Sequence, residues 1–156
     1  MFRTWLSNKL DYISRKLALR EHCSLEEYQY LFDQHPEFLH SGAVERIQLT
    51  EPISVEGTND LFRANYWIER AADAAKYNER EIVLKICKFW APPGKNRAHR
   101  LNMLLSAFQD EIRINNLIRA TNIEGVVQSF GGGIAVCNPY FKMEFIRGCS
   151  LDQMFK

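Results

Sequence analysis

Glu81-Ile82-Val83-Leu84-Lys85-Ile86-Cys87-Lys88-Phe89 is a short apolar run with Lys85 at its centre. Ile82, Val83, Leu84 and Ile86 read as a β-strand. An ammonium inside such a strand is costly unless an anion stands beside it. The following segment offers one. Leu101 to Ala120 has helical periodicity through Leu104, Leu105, Phe108, Ile112 and Leu117, and Glu111 lies beside Phe108 and Ile112 on the inward stripe. Asp110 is the rival partner, one residue and about 100° around the helix. Taken alone, a strand lysine facing a helix carboxylate is more often a structural ion pair than a functional one.

Outward from this pair the chain reads as further strands. Ile47 to Val55 is a strand in which Pro52 marks an edge or an end. Glu56-Gly57-Thr58-Asn59-Asp60 is a turn cluster, Leu61 to Ile68 a second strand, and Asp73 to Arg80 a polar connecting loop. Downstream, Val126 to Phe130 and Tyr140 to Ile146 read as two more strands. They flank Gly131-Gly132-Gly133 and the turn-like Cys137-Asn138-Pro139. The glycine triplet invites a phosphate-loop reading, but no helix starts there and no Gly-Lys-Ser/Thr follows, so a flexible or bulged hairpin connection is expected. Arg147-Gly148-Cys149 breaks the last strand, and Ser150-Leu151-Asp152 looks like the start of a helix.

The first 45 residues differ in character. Phe2, Leu6, Leu10, Ile13 and Leu17 recur at helical spacing, with Arg3, Lys9, Arg15, Lys16 and Arg20 opposite. Such a stripe more often packs on a neighbouring domain than on a membrane, so membrane contact by residues 1–22 is the weaker reading. Ser24-Leu25-Glu26-Glu27 has capping-box spacing, Leu25, Tyr28, Leu31 and Phe32 form the apolar face of the helix that follows, and Pro36 should end it. The bulk numbers exclude several classes. A formal charge of +1 gives no bias towards nucleic acid. Cys23, Cys87, Cys137 and Cys149, and the four histidines, show no metal-ligand spacing, and the scattered thiols fit a reducing, cytoplasmic setting. There is no apolar run of membrane-spanning length, and a secretory signal peptide is not expected.

The order strand, turn, strand, lysine strand, glutamate helix, strand, strand, break resembles the N-terminal lobe of eukaryotic-type protein kinases. Ile82-Val83-Leu84-Lys85 is similar to the V-A-I-K strand, and Phe108-Gln109-Asp110-Glu111-Ile112 to the αC segment, which favours Glu111 over Asp110. Asn122-Ile123 resembles the H-P-N-I element. Phe141-Lys142-Met143-Glu144-Phe145-Ile146-Arg147-Gly148-Cys149-Ser150-Leu151 is similar to the family's fifth strand and hinge, often L-V-M-E-Y-V-x-G-G-S-L, and is the most specific match. The resemblance implies an α+β fold: a five-stranded antiparallel sheet with an αC-type helix over residues 46–156, ending just past the hinge and preceded by a helical extension over 1–45. It implies ATP as ligand, with Lys85 on the α- and β-phosphates and Glu111 holding it. Leu61 and Val83 would enclose the adenine, Met143 would stand at the back of its pocket, and Glu144 and Ile146 would offer backbone groups to its edge. Val126 would stand under the αC helix.

The departures from the family pattern carry their own expectations. The glycine-rich loop is reduced to Gly57, and Glu56 and Asp60 are expected to add negative charge where phosphates would lie. Ala91-Pro92-Pro93-Gly94 lengthens the path from Lys85 to Glu111, and Asn115 sits where the family has an aliphatic residue. His99-Arg100 is followed by leucine and is not H-R-D, and no D-F-G follows. Mg²⁺ binding and phosphoryl transfer, of Ser/Thr type, therefore need a C-lobe that these residues do not supply, and a kinase C-lobe or another protein is the partner expected at the hinge side. The alternative is a degenerate, pseudokinase lobe serving as a protein-interaction module.

Overall fold

The computed structural model describes residues 9, 12–13, 15–16, 23–34, 42–55, 59–70, 72–73, 75–88, 94–121, 123–135, 138–148 and 154. Helix α1 (Leu25–Gln34) starts at a reciprocal capping box. The Glu27 N–H donates to Ser24 Oγ at 3.2 Å, and the Ser24 N–H donates to Glu27 Oε2 at 2.8 Å. Two of the amide donors that a helix start leaves unpaired are thereby satisfied. Lys16 adds an ion pair to the same Glu27 at 2.8 Å. Of the expected N-terminal stripe, Ile13 is helical and fully buried, while Phe2, Leu6, Leu10 and Leu17 lie outside the described residues.

Strands β1 (Ala43–Ser54), β2 (Asn59–Arg70), β3 (Lys76–Cys87), β4 (Ser129–Ala135) and β5 (Asn138–Glu144) form one antiparallel sheet in the order β1-β2-β3-β5-β4. Helix α2 (Arg97–Thr121) links β3 to the far edge, and β5 returns between them. The protein is thus α+β. Alternation along the strands divides the sheet into two faces. One carries Ile47, Leu49, Phe62, Ala64, Ile82, Leu84 and Ile86, which form a single core with Tyr28, Leu31 and Phe32 of α1 and with Ile13. The other carries Val83, Lys85, Cys87, Phe141 and Met143, and receives α2 through Phe108 and Ile112.

Four features differ from the sequence expectations. Strand β1 begins at Ala43, four residues before Ile47, and register shifts at Leu49/Glu51 and Pro52/Ser54 accommodate the proline on this edge strand. The segment from Asp73 to Arg80 is not all loop: β3 starts at Lys76. Lys76 stands over the Trp67 ring at 4.2 Å, Arg70 over Tyr77 at 4.5 Å and Arg80 over Phe130 at 4.6 Å, so cation–π contacts hold these polar residues in the sheet. The glycine triplet lies within β4, with Gly131 at φ 85° in a bulge between Ser129 and Gly132, instead of forming the hairpin connection. Val126 precedes β4 in a turn with Gly125 at φ 80°, and is exposed. The segment 56–58, Asn122, Phe89 and the expected helix start at Ser150-Leu151-Asp152 lie outside the described residues.

Candidate functional site

Lys85 occupies the second-to-last inward position of β3 on the α2 face, in register with Leu61 on one side and Phe141 on the other. Its Nζ stands over the Phe141 ring, 5.2 Å from the centroid, and donates to Glu111 Oε1 at 2.6 Å. Glu111 can reach because Phe108, one helical turn earlier, is buried 5.6 Å from Phe141 and brings this face of α2 onto the sheet. Asn115 sits one turn later and donates through Nδ2 to the Glu111 carbonyl at 2.8 Å. Asp110 points elsewhere: it is 60% exposed and pairs with Arg113 at 3.4 Å. Of the two acidic candidates, geometry selects Glu111.

Lysines on or next to the sheet are paired with carboxylates in different settings among the described residues. Lys88–Asp60 and Lys142–Glu45 are enclosed, at 2.8 and 2.7 Å. Lys76–Glu79 is a loose surface pair at 3.9 Å, and Lys85–Glu111 lies between these extremes, with Lys85 18% and Glu111 39% exposed. An enclosed pair is fully used by the fold. A half-open pair keeps ammonium protons that a ligand oxygen can accept.

The other expected site residues fall as follows. Leu61, Val83 and Met143 share the Lys85 face and are half-buried; Val83 is in register with Met143, which packs against Cys87, Phe108 and Phe141. Glu144 ends β5, its N–H donating to the Gln128 carbonyl at 2.8 Å and its Oε2 accepting from the Gln128 N–H at 3.2 Å. Ile146 lies beyond the strand and is exposed. His99 and Arg100 are exposed in the first turn of α2. Leu117, expected on the inward stripe, faces solvent because α2 touches the sheet mainly through its middle. Asp60 corrects a further expectation. It does not add charge to the Lys85 face but is completely buried on the opposite one, where Tyr28 and Lys88 engage it.

One polar network beside these residues was not read from sequence. Arg63, in register with Val83, is bridged by Glu51 of β1 at 2.8 Å and by Glu81 of β3, and its guanidinium stands 4.7 Å from the Phe145 ring centroid. Arg147 reaches the same Glu81 at 3.5 Å. Glu51, then Glu81, stabilise the charged guanidinium, and in return the Arg63 hydrogen bonds hold the Glu81 carboxyl below its usual range. The available signal was opposite charges at matching positions on three neighbouring strands. A groove of about 360 Å³ between α1 and β1, lined by Gln29, Asp33, Arg46 and Trp67 among others, shares no residue with the Lys85 site.

Fold and site together define a class: an α+β protein whose five-stranded antiparallel sheet offers a half-open lysine–glutamate pair beside an apolar strip. Compared with protein-family models and with curated proteins, the sequence gives no match to either. Among the described residues, no helix is long and apolar enough to cross a membrane.

Proposed function

We propose that residues 46–156 are an ATP-binding lobe of the protein-kinase type, in which Lys85 takes up the α- and β-phosphates and Glu111 holds it in place. The carrying observation is the 2.6 Å contact between these two side chains, made by the third strand and the helix that follows it. One ammonium proton is committed to Glu111, and the others remain for phosphate oxygens. Leu61, Val83 and Met143 supply the apolar strip an adenine ring needs, on the same face and within one or two residues of Lys85 along the strands. Since the Glu144 N–H is taken by Gln128, Glu144 would contribute its carbonyl to the adenine edge, and Ile146 its backbone. The burial of Asp60 removes one of the two negative charges that would oppose phosphate. Phosphoryl transfer to Ser/Thr hydroxyls would require Mg²⁺ ligands and a base from a C-lobe, so the activity assigned to these residues is nucleotide binding.

The test is the thermal shift produced by ATP, with and without Mg²⁺. Lys85→Met abolishes the shift, Glu111→Gln diminishes it, and Asp110→Asn leaves it unchanged. A shift retained by Lys85→Met, or equal behaviour of the two acidic variants, overturns the proposal.

A second reading, a degenerate lobe acting as an interaction module in a cytoplasmic setting, is favoured by one observation. Met103, Ile114 and Leu117 of α2 are 60, 51 and 59% exposed, more apolar surface than an isolated helix face normally leaves in water. Under the first reading a C-lobe or partner protein covers part of this side. A chain that sediments as a monomer and binds ATP supports the first reading over the second.

A further inference from the structure

Four elements meet at a buried polar cluster on the sheet face opposite Lys85. Asp60, near the start of β2, has no exposed surface. The Tyr28 hydroxyl of α1 donates to its Oδ2, and Lys88, just past β3, places Nζ 2.8 Å from its Oδ1. The lysine also donates to the carbonyl of Val55, the residue after β1, at 3.3 Å. The Tyr28 ring is fixed edge-on against Phe62, with centroids 5.0 Å apart. Burial, then the neighbouring Asp60, hold the phenol protonated far above its ordinary titration range, so it remains a donor. A carboxylate and an ammonium removed from water are retained only where their partners are held in place, and here one partner belongs to α1.

The cluster lies directly behind the candidate nucleotide site. Leu61 follows Asp60 and points to the other face, and Leu61 is in register with Lys85, three residues before Lys88. We propose that Tyr28, Asp60 and Lys88 form an interlock through which α1 sets the positions of Leu61 and Lys85, which makes α1 a positioning element for nucleotide binding. The link to nucleotide rests on the function proposed above; the mechanical link does not. Because coupling of two equilibria is reciprocal, bound nucleotide must in turn protect α1.

Hydrogen–deuterium exchange on the whole chain separates the two. Tyr28→Phe keeps the ring and removes only the hydroxyl. Without nucleotide it raises exchange at the amides of residues 60–64 and 84–88, and it weakens ATP binding about tenfold, the effect of losing one hydrogen bond to a charged group. Leu31→Val, in the same core but without a polar group, lowers the melting temperature and changes neither quantity. If the two variants give the same exchange pattern for the same loss of melting temperature, Tyr28 contributes stability alone and the interlock is overturned. If wild-type chain binds no ATP, the nucleotide reading fails and the exchange comparison still decides the interlock. The unmodified protein supplies an independent check: ATP slows exchange across residues 28–34, and a bound complex without that protection overturns the coupling.

Discussion

Gly132 shows how a single residue is held to its type by the strand that pairs with it. A Cβ there would overlap the Tyr140 carbonyl oxygen and stand 2.9 Å from Phe141 Cβ, because β5 crosses β4 closely at this point. Backbone cannot move aside as a flexible side chain can, so Gly132→Ala destabilises the protein by about 1–3 kcal/mol, measured by urea unfolding. Gly131 is constrained differently: nothing stands within 4 Å of its added Cβ, but its φ of 85° is one that L-residues avoid. An unchanged unfolding midpoint for Gly132→Ala would contradict the β4–β5 register. Other residue-scale choices were open to reading. Glu111 shares a stripe with Phe108, and the buried ring decides which acidic side chain meets Lys85. The inert state of Cys23 was not legible: burial, supplied by the fold, pushes its thiol up to about 11.

Among the elements, β1 has an outer edge and α1 covers part of it by an unusual route. Gln29 Nε2 donates to the Ile47 carbonyl at 3.0 Å, and its Oε1 accepts from the Leu49 N–H at 2.7 Å. The carboxamide thus replaces one residue of a neighbouring strand and blocks pairing with another chain. Gln29→Ala removes both bonds. The expected outcome is a loss of about 1–2 kcal/mol in denaturant unfolding and concentration-dependent association in sedimentation. A monomer of wild-type stability would show that the cap contributes nothing. Helix α2 contrasts with α1. Phe108 is its one buried residue among those described, so its hold on the sheet rests on the Phe108–Phe141 contact, the half-buried Ile112 beside it and the Lys85–Glu111 pair. A long periodic helix announces itself in sequence, but the depth at which each turn meets the sheet does not, which is why Leu117 was expected inside.

At the scale of the molecule, the sheet is covered on one face by the N-terminal segment and on the other by α2. Tyr28, Leu31, Phe32 and Ile13 are integral to the larger core. Deleting residues 1–42 would bare Phe62, Ile82, Leu84 and Tyr140 and would leave Asp60 and Lys88 without Tyr28. Residues 43–156 alone therefore lack a cooperative thermal transition and bind the dye ANS, whereas the whole chain melts cooperatively and does not. A sharp transition from the shortened chain would show that the sheet and α2 fold without α1.

What the sequence determined by itself were the features with local causes. The capping box needs residues three apart, the strands need short apolar runs, and Lys85 demands an anion that the next helical segment carries. The tertiary structure alone decided which groups meet across the chain. Asp60 reads as a turn residue until Tyr28 and Lys88, 32 and 28 positions away, enclose it. The glycine triplet reads as a loop until β5 lies against it. Burial of a polar group depends on partners brought together by folding, and no local pattern encodes them.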